Sequence, residues 1–180
     1  MTNRDKLMAE ALWHIDAECE THGWDQDAGL FAVLIHRFGD EGGAIQLAPM
    51  PGWNICLRLA PGPQAALTGM VHMLGEAPVE FKRAAYPPET LYGVALVTEA
   101  WMLRDDAITP QTRLAAEQGR LHELADRVEV RFTYCVSTQG EVSALSHERD
   151  GIAEAFHKEE GKLTGAIPNL LAQIVKELTA

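Results

Sequence analysis

Glu99, Arg131 and His147 are the side chains whose type and surroundings are best suited to chemistry in this 180-residue sequence. Glu99 stands in the apolar run Leu91–Leu103, on the two-residue parity of Val97 and Trp101. An ionised carboxylate on the buried face of a strand is costly unless a cation meets it or it keeps its proton. Arg131, in the alternating run Val128–Val136, is the expected partner, because a strand beside Leu91–Leu103 can set the two side chains across from each other. His147 lies near the end of the next strand, in Ser146-His147-Glu148-Arg149, close to where Arg127 and Glu129 enter the partner strand. An acid, a base and an anion-holding guanidinium would equip a small-molecule hydrolase. The competing reading is a structural ion pair near a strand end, which is the commoner arrangement.

Other chemistries find less support. No G-x-G-x-x-G occurs, and Gly161-Lys162 has Phe156 where a phosphate-binding loop needs its first glycine. The three serines, Ser137, Ser143 and Ser146, lie in or beside a hairpin rather than on a strand-to-helix elbow. Cys19 falls on a helix core face, and Cys56 and Cys135 fall in alternating runs, where a packed thiol is expected rather than a nucleophile. His122-Glu123-Leu124-Ala125-Asp126 has half of a zinc-helix motif, but it lacks a third ligand and is flanked by Arg120 and Arg127. Asp25-Gln26-Asp27 begins like a calcium loop and fails at Gly29, where an oxygen ligand belongs. No metal and no cofactor is expected.

Charge points elsewhere. The chain carries 15 basic and 26 acidic residues, a formal net charge of -11. Such a field repels a nucleic-acid backbone. Nine of the acids fall in the first 50 residues, and Asp16, Glu18, Glu20, Asp25 and Asp27 form the candidate surface for a basic protein partner. The bland alternative is a solvated surface that keeps the protein in solution. Three widely spaced cysteines exclude a disulfide scaffold and suggest a reducing, cytoplasmic setting. No apolar run approaches the ~18 residues of a membrane span, so no membrane partner is expected.

The elements that must position these residues follow from periodicity. Met8, Ala11, Leu12, Ile15 and Cys19 predict an amphipathic helix over Asn3–Thr21, with Asp16, Glu18 and Glu20 turned away from the core. Leu30–Ile35 and Leu91–Leu103 are apolar on both faces and predict central strands. A short edge strand is expected at Ala44–Leu47, a half-buried strand at Ile55–Leu59, and a helix from Pro63 to Gly75. A short helix at Thr112–Gln118 interrupts the polar stretch 104–126. A hairpin follows, from Val128–Val136 and Glu141–Arg149, and after a polar linker Ile167 to Leu178 forms a closing helix. The sum is one α+β domain over residues 1–180: roughly five strands, mostly antiparallel, with helices packed on them.

Gly23-Trp24-Asp25-Gln26 with Leu30–Val33, Tyr92–Glu99, and Asp126–Arg131 resemble segments of uncharacterised proteins from actinobacteria and their phages. That resemblance implies a bacterial or phage origin and the same element order, and it carries no activity. The expectation is a small acidic accessory or interaction protein, non-enzymatic, docking a basic protein partner, with self-association as a further option. The alternative is the hydrolase built on Glu99, Arg131 and His147.

Overall fold

The computed structural model describes residues 3–38, 42–149, 151, 153–157 and 165–180. Helix α1 (Asn3–His22) leads into strands β1 (Gly29–Phe38) and β2 (Gly42–Pro49). Three helices follow, α2 (Trp53–Leu59), α3 (Pro63–Glu76) and α4 (Val79–Ala85), and then the long strand β3 (Leu91–Leu103). Helix α5 (Pro110–Glu117) lies between two short 3-10 turns, before β4 (Arg127–Ser137), β5 (Val142–Glu148), β6 (Ala153–His157) and α6 (Ala166–Thr179). The strands form one antiparallel sheet in the order β2-β1-β3-β4-β5-β6.

Each face of the sheet has its own core. Leu30, Ala32, Val94, Leu96 and Val136 pack against Leu67 and Met70 of α3 and Leu171, Ile174 and Leu178 of α6. On the opposite face Val33, Ala95, Val97, Cys135 and Leu145 meet Met8, Ala11, Leu12 and Ile15 of α1. This two-sided burial explains why β1 and β3 read as continuous apolar runs. They are neighbours, as the sequence predicts, and α6 packs on the sheet. Gly93 marks the tightest approach within it: a Cβ there would lie 2.3 Å from the Val136 carbonyl oxygen, beside the register shift of β1 against β3.

Three expectations need correction. Ile55–Leu59 is the helix α2, not a strand. Trp53 is buried and its indole N–H donates to the Ala28 carbonyl, while Cys56 and Leu57 turn toward the core at helical spacing. Ile55 and Leu59 are 65% and 83% exposed. The anchor supplied by Trp53 overrides the local alternation of apolar residues. The supposed linker after Gly151 contains β6, which pairs with β5 and brings the strand count to six. α4 is the third difference: it follows Pro78, and the sequence reading leaves it without an element. Among the described residues no helix is long and apolar enough to cross a membrane.

Candidate functional site

Strand register assembles the predicted triad. Glu99 of β3 lies directly across from Arg131 of β4, and Arg131 directly across from His147 of β5. All three side chains share the face covered by α1, because odd-numbered positions of β3 and β4 alternate onto that face with Val97 and Cys135. Arg131 is the centre. Its side chain is 1% exposed.

The guanidinium is almost fully committed. Nε and Nη2 donate to Glu99 Oε1 at 3.2 and 3.1 Å, Nη2 also donates to the Gly23 carbonyl at 2.7 Å, and Nη1 donates to Glu20 Oε2 at 2.9 Å. Asp16 Oδ1 stands 3.8 Å from Nη1, and the Trp24 ring packs on the guanidinium with its centre 4.4 Å away. Burial works against the charge on Arg131, but the carboxylates of Glu20 and Glu99 outweigh it and hold the group above its ordinary pKa. Glu99 is equally occupied: its Oε2 accepts from the backbone N–H groups of Asp25 at 2.7 Å and Gln26 at 3.2 Å. His147 Nδ1 lies 2.9 Å from Asp16 Oδ2, and its ring meets Trp24 edge-on. Arg149 completes the outer side, pairing with Glu129 and with Asp25.

The geometry is that of a clamp. The turn between α1 and β1 needs left-handed backbone at Gly23 and Asp25, with φ of 83° and 65°, and the Glu99–Arg131 pair fastens that turn to the centre of the sheet. Catalysis by the trio would require Glu99 to move a proton and Arg131 to hold an anion. In this arrangement Glu99 accepts through both oxygens and Arg131 makes four hydrogen bonds within the protein.

The five acids proposed for a partner separate into two groups. Asp16 is buried against His147 and Arg131, so its expected surface position is wrong. Its place follows from the helix: Met8, Leu12, Asp16 and Glu20 recur every four residues and share one stripe, facing the sheet. That four-residue spacing is the sequence signal of its buried position. Glu20 is tied to Arg131 and Asp25 to Arg149. Glu18 and Asp27 are exposed, and among the described residues their carboxylates have no hydrogen bond or ion pair. His122 and Glu123 lie in an exposed 3-10 turn that ends before Asp126, with Glu123 paired to Arg120.

Glu18 and Asp27 do meet at one feature. Both line a cavity of about 260 Å³ between α1 and the start of β1, whose apolar wall is Cys19, Phe31 and Val97. Gly29 shapes that wall. A Cβ there would fall 2.6 Å from Cε2 of Phe31, so a larger residue at this position would have to shift the ring. A second cavity of about 440 Å³ adjoins it, sharing Glu18, Cys19 and Phe31 and extending along His14, Ile45 and Leu47. The resulting groove exists because a single helix, roughly 10–12 Å across, cannot cover a six-stranded sheet roughly 24 Å wide. α1 packs chiefly over β4 and β5 and leaves the β1–β2 side partly open.

No family model matches this chain, and no curated protein or solved structure is significantly similar to it. Function is therefore read from the site itself.

Proposed function

We propose that this chain is a small acidic interaction protein that docks a basic protein partner through the groove between α1 and β1–β2. One observation carries the reading. Of the five candidate acids near the N-terminus, the two described without an ion pair, Glu18 and Asp27, both line an apolar-walled cavity on the surface. A negatively charged rim over an apolar floor favours a partner with the opposite charge and an apolar body. The excess of acid over base in the whole chain would speed the encounter. The three free thiols, Cys19, Cys56 and Cys135, support a cytoplasmic setting. The hydrolase alternative loses ground, because Glu99 and Arg131 are engaged with each other, with the Gly23–Gln26 turn and with Glu20.

The test is calorimetric titration with lysine-rich amphipathic peptides and with counterparts in which every lysine is glutamate. Binding of the cationic set alone, weakening with salt and lost in Glu18→Lys/Asp27→Lys, supports the reading. Equal binding of both sets, or an equal loss on charge reversal at the exposed Glu89 beyond α4, overturns it.

A further inference from the structure

Building on that docking reading, we infer that the groove takes an amphipathic helix of the partner and that the smaller cavity takes one lysine or arginine side chain from it. Three features of the groove point to this occupant.

The first is the floor. Phe31, Ile45 and Leu47 project from a sheet face; the main-chain groups of β1 pair with β2 and with β3, while β2 is the outermost strand and is paired on its β1 side only. A segment lying over β1, between α1 and the β2 edge, finds no backbone partners beneath it. It must satisfy its own N–H and C=O groups, which a helix does and an extended strand does not. A second helix beside α1, at the usual 8–10 Å separation, would cover the part of the sheet that α1 leaves open.

The second is volume. About 260 Å³ exceeds the ~150 Å³ that accommodates benzene and falls below the ~300 Å³ where pockets for drug-sized ligands begin. One long side chain fits the space.

The third is the distribution of polarity. Phe31, Val97 and the Cys19 side chain give the cavity an apolar wall suited to an alkyl stem. Glu18 and Asp27 add negative charge to the same lining. Glu99 and Arg131 also border the cavity, but they neutralise each other. A basic side chain that lays its methylenes on Phe31 and its cationic head between Glu18 and Asp27 satisfies each of these surfaces.

The test is selection from a displayed library of peptides about 15 residues long, roughly four helical turns, against the intact protein. Affinities of the enriched peptides are then measured on wild type, on Glu18→Gln/Asp27→Asn and on Gly29→Ala, whose added Cβ takes up space in the wall and displaces the Phe31 ring. Val97→Ile, one methyl larger in the wall, replaces Gly29→Ala if that variant does not fold. The expected peptides share one lysine or arginine with apolar residues three and four positions away. They bind roughly tenfold or more weakly to each variant and lose binding when a central residue becomes proline. Basic peptides that respond to Glu18→Gln/Asp27→Asn but tolerate the central proline or the filled cavity overturn this inference and leave the docking reading standing. Enriched peptides without a basic residue, peptides indifferent to the charge variant, or no enrichment at all overturn both.

Discussion

Replacing Arg131 with methionine should destabilise the protein by about 3–5 kcal/mol, the range for removing one member of a buried ion pair. The magnitude comes from what is left behind. The Glu99 and Asp16 side chains are 11% and 7% exposed, and without the guanidinium Glu99 is left with the Asp25 and Gln26 N–H groups and Asp16 with His147. The Gly23 carbonyl loses its donor as well, and Trp24 loses the cation on its face. Glu99→Gln should cost less, about 1–3 kcal/mol. The amide oxygen can still accept from one side, but its NH2 group must face either the Arg131 donors or the backbone N–H groups of Asp25 and Gln26. The double variant should lose less than the two single losses combined, because Glu99→Gln removes one of the charges that Arg131→Met leaves unpaired. Urea unfolding at neutral pH measures all three, with unchanged slopes required for the comparison. Hydrogen exchange adds a local readout: the Asp25 and Gln26 amides should lose protection in Glu99→Gln. A loss under about 1 kcal/mol for Arg131→Met, or strict additivity in the double variant, would refute the idea that this guanidinium fastens the α1–β1 turn to the sheet.

Four further outcomes are expected. Leu171→Asp should unfold the protein, because Leu171 is fully buried between α6 and the sheet; a circular-dichroism melt reads this directly. Gly93→Ala should cost about 1–3 kcal/mol in urea unfolding, since its Cβ meets a backbone oxygen that cannot swing away. Burial pushes the Cys135 thiol up to about 12, so it should resist alkylation at mildly alkaline pH until the protein unfolds, whereas Cys56, only partly buried, should react first. Burial also pushes Tyr86 up to about 12 from 10.0. Above each group's ordinary pKa the unfolded chain loses a proton that the folded one keeps, so stability should hold below about pH 9 and fall between roughly pH 9 and 12, as denaturant titrations across that range would show.

The sheet was largely legible because its strands announce themselves by period. Val128–Val136 alternates cleanly, and β1 and β3 are apolar on both faces because helices cover both sides. Parity alone put Glu99 on the covered face and Arg131 opposite it, and the register bears out that pairing. What stayed hidden depended on tertiary contacts. Whether Ile55–Leu59 becomes strand or helix is decided by the seat of Trp53 in the core, not by the alternation of its neighbours. β6 is five residues long and exists through its pairing with β5. Asp16 is legible only through its spacing: four residues after Leu12, it lies on the inward stripe despite its charge. The cavity was beyond reach, since it arises from the unequal widths of helix and sheet and from a Phe31 ring folded over Gly29.

The most direct measurement of the docking claim is an NMR titration of the isotope-labelled protein with n-butylammonium chloride, with n-butanol as the neutral control. Amide shifts should concentrate at Glu18–His22, Gln26–Phe31 and Val97–Thr98, around the cavity mouth and wall. They should be much weaker with butanol and disappear in Glu18→Gln/Asp27→Asn. Equal shifts with butanol, or shifts spread evenly over exposed acids such as Glu89 and Glu117, would contradict the claim that this cavity recognises a basic side chain.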